Sequence, residues 1–465
     1  MLRSALAVLA SAALVACSAP VTPPAGPSLP PAATPPTAGA SVGPGGFAAP
    51  AERPRNLILF IADGFGPASA TMGRAAKGAP LAFDSLLTGA VETSATDSRV
   101  TDSAASATAY ACGVKAYNGA IGVTPDGAPC VTILERAEAA GMSTGLVATS
   151  RITHATPAAF AAHVPRRSQE AEIAEQMLAS GVDVLLGGGA GRFADRDDGR
   201  DLLAAAAADG WTVATDRAGY DALSALPAAG LLAPSHLAYE VDRDAAAEPS
   251  LAEMTRRALR LLDAHAGEAG FFVMIEASRI DHAGHANDPA GHLHDILAYD
   301  AAVAEALAWA AADGETLVVA TADHETGGMS LGAGGVYAWD PAPLLAATAS
   351  FDAMTARLVE GDDPAAVVSE GLAVPLGPAE ADALREAVAA DSLVGRELSY
   401  LPGSTATSAL LRRLASEAAN VGWTTGGHTA VDVGLYAYGP GAHRLRGAMP
   451  NDALGRRLRA ILLGE

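Results

Sequence analysis

Short clusters that mix carboxylates with imidazoles are the first residues in this chain that could do chemistry. Asp281-His282-Ala283-Gly284-His285 and Asp323-His324 each pair an acid with a histidine, and His428 stands in Gly426-Gly427-His428-Thr429. Histidine with carboxylate is an ordinary zinc ligand set, and open coordination positions mark a catalytic zinc rather than a structural one. Asp63, Thr156 and Glu276 form an oxygen-only set that suits magnesium, which prefers oxygen ligands and keeps several waters. Each candidate has a bland alternative. A lone histidine is more often a surface or hydrogen-bonded core group, and Thr156, just before Pro157, also reads as a helix N-cap. His163, His236, His265, His292, His294 and His443 are read in that structural sense.

Ser103, in Thr101-Asp102-Ser103-Ala104-Ala105-Ser106-Ala107-Thr108, opens an Ala-rich segment that reads as a helix. A hydroxyl there sits in the positive field of the helix N-terminus, which favours both an alkoxide and a phosphate. The alternative is that Asp102 or Ser103 is simply the cap. Arg166 and Arg167 stand in a turn, and one guanidinium can bind two phosphate oxygens in parallel. A solvated basic turn is the alternative. Nucleophile, cations and clamp together are what cleavage of a phosphate monoester requires. The run Gly187-Gly188-Gly189-Ala190-Gly191 matches neither nucleotide-loop spacing and reads as a tight turn.

The elements that must position these groups are legible as alternating patterns. Apolar runs at 56–62, 144–148, 182–186, 271–275, 316–320 and 433–438 read as strands, each ended by a polar or Gly-rich turn. Helical segments at 131–140, 168–180, 252–264 and 289–312 lie between them. Short continuous apolar strands alternating with helices predict an α/β fold: a large, mostly parallel central sheet sandwiched by helices. Ligands bind such sheets beyond the carboxyl ends of the strands, where Asp63, Glu276, Asp323 and His324 all fall. Residues 331–422 lose the alternation and read as a helical insertion or cap before the last strands, with helices at 354–360, 379–389 and 406–418.

The chain has 465 residues and a formal net charge of -22, which argues against a nucleic-acid-binding surface, since that needs clustered Lys and Arg. Residues 1–16 carry one basic residue, Arg3, and an uncharged apolar run too short to span a bilayer, the form of a secretory signal. Leu14-Val15-Ala16-Cys17 resembles a bacterial lipoprotein cleavage box, which would leave a lipid on Cys17. An ordinary signal peptide is the alternative. Residues 17–52 are Pro- and Ala-rich and read as a tether, with the catalytic domain at 53–465. The expected location is therefore outside the cytoplasm, lipid-anchored in the periplasm at the outer membrane or at the cell surface. In an oxidising compartment, Cys112 and Cys130 are expected to pair, with two buried thiols as the alternative.

Five segments, taken in order, closely resemble the alkaline phosphatases: Phe60 to Gly66, Thr101 to Thr108, Thr153 to Ala159, Thr321 to Glu325 and Gly427 to Thr429. The resemblance covers roughly residue 53 to the C-terminus, apart from the insertion. It implies hydrolysis of small phosphate monoesters through a phosphoserine on Ser103, two zinc ions, one magnesium and activity that rises toward alkaline pH. Asp281, His285 and His428 match the first zinc site. Asp63, Asp323 and His324 match the second, which also contacts Ser103. Asp63, Thr156 and Glu276 match the magnesium site. Counting from His163, Arg167 rather than Arg166 matches the phosphate-binding arginine, with Asp102 placed to orient it. His154 and His282 stand where some bacterial members have Asp and Lys, and are expected to face the substrate. A homodimer is compatible with the resemblance. Rival readings are a phosphodiesterase of the same superfamily and a noncatalytic, lipid-anchored phosphate- or metal-binding protein. A sulfatase would need Pro and Arg at fixed offsets after the nucleophile, which Ser103-Ala104-Ala105-Ser106-Ala107 lacks.

Overall fold

The run Asn-Leu-Ile-Leu-Phe-Ile-Ala forms β1 (Asn56–Ala62), buried along its whole length as a strand covered on both faces must be. The structure, a computed structural model, describes residues 53–394 and 405–465. The expected signal segment, Cys17 and the tether lie outside the described residues. After β1 come β2 (Leu87–Glu92), β3 (Ser143–Arg151), β4 (Val184–Gly188), β5 (Thr212–Ala214), β6 (Ala228–Leu231), β7 (Phe271–Ala277) and β8 (Thr316–Thr321). Four two-residue strands follow: β9 (Glu325–Thr326), β10 (Ser330–Leu331), β11 (Val421–Gly422) and β12 (His428–Thr429). The last two are β13 (Val433–Tyr438) and β14 (Gly447–Pro450).

Ten strands make one sheet in the order β14-β2-β13-β8-β1-β7-β3-β4-β6-β5. Adjacent strands run parallel, except that β13 runs against both β2 and β8. The sequence reading gives 433–438 no direction and takes it as the last strand; it runs reversed, and β14 follows it. The reason is local. β12 pairs with β9 just past the carboxyl end of β8, so a strand entering the sheet from there runs back down it without the long crossover that a parallel strand needs.

Helices cover the sheet. Leu251–His265 begins in a capping box formed by Ser250 and Glu253, and Pro289–Asp313 starts on an Asp288 cap with Pro at its first position. Between β10 and β11 the chain is helical, as Ala342–Ala346, Phe351–Glu360, Pro364–Gly371, Pro378–Val394 and Ala406–Ala419. Phe351, Met354, Val367 and Leu411 from this stretch form a separate apolar cluster that rests on Ala286 and Ala290. β10 and β11 pair antiparallel and close the stretch at its neck. Cys112 and Cys130 form the expected disulfide.

Candidate active site

Register brings the strand ends together. Ile61 of β1 lies beside Glu276 of β7 on one side and Thr321 of β8 on the other. Asp63, Glu276 and Asp323-His324 therefore emerge side by side at the carboxyl edge of the sheet, where open α/β folds bind ligands. Asp281 and His285 sit one turn apart on the helix Arg279–Ala286 that follows β7, so they share a face. β12 pairs with β9 at Thr326, which carries His428 to the same place from far along the chain.

Three groups of side chains converge there. Asp281, His285 and His428 present ligand atoms within 4.8 Å of one another, as do Asp63, Asp323 and His324, and also Asp63, His154 and Glu276. His285 Nε2 and His428 Nε2 are 3.1 Å apart. His285 Nδ1 donates to the Gly426 carbonyl at 2.7 Å and His428 Nδ1 to the Thr101 carbonyl at 2.8 Å. Each ring therefore carries its proton on Nδ1, and two Nε2 lone pairs point at one spot. Lone pairs facing each other repel unless a cation lies between them. Both oxygens of Asp63, Asp323 Oδ2, Glu276 Oε1 and the Thr156 hydroxyl are buried without a hydrogen-bond partner. Buried polar atoms are rarely left so, and an ion is one of the recognised explanations. The donor set fits divalent cations, with nitrogen and oxygen at two positions and, where Thr156 rather than His154 joins Asp63 and Glu276, oxygen alone at the third.

The electrostatics agree. Burial, then the charge of Asp281, pushes Asp323 up to about 8, and burial pushes Glu276 up to about 7. Burial and the neighbouring Asp323 raise Asp63 as well. These carboxyls hold their protons because too much negative charge is confined in a dry space. Burial alone would also raise Asp281, but His285, His428 and His324 outweigh it and hold it low. Burial keeps His324 and His428 neutral, the form in which imidazole binds a metal.

Ser103 is the first residue of the helix Ser103–Cys112, and its Oγ lies 3.2 Å from His324 Nε2. Asp102 is the N-cap: its Oδ1 accepts from Ala105 N at 2.9 Å. That division frees the Ser103 hydroxyl from capping. Asp102 Oδ2 accepts from Gly119 N at 3.0 Å and from Arg167 Nη1 at 3.1 Å. Arg167 Nη2 donates to His154 Nε2 at 3.0 Å, so the guanidinium is held on two sides beside the serine. Arg166 is exposed in the same turn.

The bland reading of Thr156 is corrected. The helix Ala155–Ala161 is preceded by His154 at the N-cap position, so Thr156 lies inside its first turn and its hydroxyl caps nothing. The donation from Arg167 puts the His154 proton on Nδ1, so this ring offers the third group a donor rather than a lone pair, and Thr156 remains the better oxygen ligand beside Asp63 and Glu276. His282 takes a hydrogen bond from Arg279 Nη1 at 2.7 Å. His236, read as structural, takes a hydrogen bond from Arg151 Nη1 at 2.6 Å and packs its ring 4.5 Å from that of His282 and 5.8 Å from that of His154. His163, His265, His292 and His294 are hydrogen-bonded to nearby carbonyls, in keeping with their structural reading.

Sequence reasoning missed Thr326. Its hydroxyl donates to Asp281 Oδ1 at 2.5 Å and lies 3.2 Å from His324 Nδ1, tying one cluster to the next. It also missed Arg279, whose guanidinium stacks 3.6 Å above the Tyr239 ring while it braces His282. The available signal was proximity: both lie within two residues of a candidate ligand.

A family described as alkaline phosphatase matches residues 54–463 of the chain. The repressible alkaline phosphatase of Saccharomyces cerevisiae is 39% identical over 434 residues, spanning 83% of this chain and 76% of that protein. Alkaline phosphatase 3 of Bacillus subtilis is 36% identical over 422 residues, spanning 87% and 88%. The crystal structure of a cold-active alkaline phosphatase from the psychrophile Shewanella sp. superposes with a TM-score of 0.79 at 34% identity, covering 88% of this chain and 99% of that one.

Proposed function

Because the chain belongs to the alkaline phosphatase family and so hydrolyses phosphate monoesters with the help of divalent metal ions, we propose that Ser103 is its nucleophile and Arg167 its phosphate clamp. The observation that carries this is the convergence of Ser103 Oγ, the Arg167 guanidinium and three groups of ligand-type side chains at one sheet edge. Asp281, His285 and His428 hold one zinc ion. Asp63, Asp323 and His324 would hold a second, beside Ser103, whose Oγ lies 3.2 Å from His324 Nε2. Asp63, Thr156 and Glu276 hold magnesium. When bound, these cations supply positive charge to the attacking and departing oxygens.

The chain's own groups do the rest. Ser103 Oγ, at the positive end of its helix, forms a bond to phosphorus as the bond from phosphorus to the ester oxygen breaks, giving a phosphoserine and the free alcohol. Water then forms a bond to phosphorus as the bond from phosphorus to Ser103 Oγ breaks, which releases inorganic phosphate and returns a proton to the serine oxygen. Arg167 holds two nonbridging oxygens, and Asp102 and His154 fix its plane. His282, braced by Arg279, faces the substrate beside His154. A deprotonated Ser103 is the reactive form, so activity rises toward alkaline pH.

The amino-terminal pattern supports export, with a lipid on Cys17 that tethers the catalytic domain outside the cytoplasm. Among the described residues no helix is long and apolar enough to cross a membrane.

Acid quenching during turnover of an aryl phosphate, followed by peptide mass spectrometry, should find phosphate on Ser103. Metal analysis should find two zinc ions and one magnesium per chain. Ser103→Ala should cost at least about a thousandfold in kcat, since the residue is the nucleophile. Phosphate on another residue, or a Ser103→Ala enzyme within tenfold of wild type, would reject the assignment. A diester hydrolysed faster than the monoester would point to the phosphodiesterase reading instead.

A further inference from the structure

Outside the residues assigned above, a recess of about 720 Å³ opens at the neck where β10 and β11 pair. It is lined by the loop 330–339 and by Gly422, Trp423 and Thr424. None of these residues carries a charge in a chain whose net charge is -22, and three of them, Tyr337, Trp339 and Trp423, are aromatic although aromatics are only 5% of the sequence. The size is within the usual range for a small-molecule site, and enrichment in aromatic rings is the usual lining.

The recess is preformed. Gly332 N donates to the Asn420 carbonyl at 3.0 Å and Asp340 N to the Ala419 carbonyl at 3.1 Å. The Asn420 amide also donates to the Val336 and Ala338 carbonyls. On its rim the Tyr337 ring is wholly exposed and Val336 largely so.

The inner wall is continuous with the catalytic centre. Thr424 N and Thr425 N donate to the Gly327 carbonyl at 3.0 and 3.2 Å, and Gly327 N donates to the Gly427 carbonyl at 2.9 Å. Gly327 follows His324 by three residues and Gly427 precedes His428. The Trp423 ring packs so closely on Gly327 that a Cβ there would fall 2.5 Å from it. Thr424 is four residues from His428, and four residues of extended chain span at most about 14 Å. Thr424, at the inner end of the wall, therefore lies within about 14 Å of His428.

We propose that this recess binds the alcohol portion of the phosphate monoester and favours alcohols that carry an aromatic ring, such as phenols and nucleosides. This rests on the phosphatase reading of the neighbouring site. The two ends of the substrate differ in charge and so do the two surfaces. The phosphate belongs with Arg167 and the cations, and the neutral ring with an uncharged wall on which stacking contributes without desolvating an ion.

The test uses full-length, metal-loaded enzyme carrying Tyr337→Ala, and separately Trp339→Ala. Tyr337 is fully exposed, so its removal leaves the fold intact. The ratio of kcat/KM for 2-naphthyl phosphate over glycerol 1-phosphate should fall roughly 3- to 10-fold, the equivalent of one aromatic contact. Calorimetric binding of benzylphosphonate, which is not hydrolysed, should weaken by a similar factor while that of methylphosphonate stays the same. Equal effects on both substrates, or none, overturn the proposal. So does an unchanged ratio accompanied by a shift of solution mass from dimer to monomer, which would make the rim a contact between copies of the chain. Wild-type enzyme that hydrolyses neither substrate would sink the phosphatase reading, while the phosphonate comparison would still decide the recess.

Discussion

Stripping the metal with a chelator should leave Asp323 and Glu276 drawing stability out of the fold as pH rises from 5 to 8. In the metal-free protein burial and neighbouring charge push Asp323 up to about 8, and burial pushes Glu276 up to about 7. In the unfolded chain both carboxyls titrate near pH 4. Between those limits the native state binds more protons than the unfolded state, so unfolding becomes easier as pH rises. The contribution is fully present below about pH 4 and gone above about pH 8. Asp281 has the opposite sign, but its folded value is depressed, so its effect falls below about pH 4, outside the window. One pH unit of difference for one group is worth about 1.4 kcal/mol, so the pair withdraws on the order of 5 kcal/mol between pH 5 and pH 8. With an unfolding entropy of about 2.1 cal/mol/K per residue over roughly 400 residues, that lowers Tm by about 6 °C. Differential scanning calorimetry of the chelated protein at several pH values would measure the slope. Glu138, Asp288 and Asp295, outside the site, are raised too, and His154, His236 and His282, kept neutral by burial, act with the opposite sign up to about pH 6.5. The D323N/E276Q double variant is therefore the control, and the metal-free Tm difference between wild type and variant should change by about 6 °C between pH 5 and pH 8. With metal restored the share of the slope that belongs to this pair should vanish. A double variant whose metal-free Tm follows pH just as wild type does would refute the account of a cluster held together by cations.

Arg167→Lys keeps the charge but loses the parallel pair of hydrogen bonds, so kcat/KM should fall about 10- to 100-fold, whereas Arg166→Ala should stay within about twofold; steady-state kinetics on an aryl phosphate would separate them. Thr326→Val keeps the shape of the side chain but removes the hydroxyl that orients Asp281, and zinc affinity in a competition titration should weaken about 10- to 100-fold. Reducing the disulfide, or Cys112→Ser, opens a loop with a sequence separation of 18 and should cost about 3 kcal/mol in a denaturant titration, with little change in kcat.

The parts of this molecule that were legible in the sequence are the ones governed by local rules. The runs 56–62 and 289–312 correspond to Asn56–Ala62 and Pro289–Asp313 because an unbroken apolar strand and a Pro-started, Asp-capped helix each carry their own signal. Ser103 was legible as a helix start for the same reason. The direction of Val433–Tyr438 was not, because a buried strand has the same composition whichever way it runs. Thr156 was ambiguous because a hydroxyl before proline suits a cap and a ligand equally, and only the helix starting at Ala155, with His154 at the N-cap position, decides between them.

By itself the sequence determined which side chains were available for chemistry, the strands and helices that carry them and the family they resemble, since side-chain type and local periodicity are properties of the chain alone. Only the tertiary structure decided which of those side chains meet. His285 and His428 aim their lone pairs at one point because β12 pairs with β9 across a helical stretch. Arg167 rather than Arg166 lies beside Ser103 because Asp102, the cap of another helix, holds it there. His236, in the segment after Ala228–Leu231, meets His282 on the helix Arg279–Ala286. Such contacts span tens to hundreds of residues, and no local pattern encodes them; the packing of the sheet's carboxyl edge does.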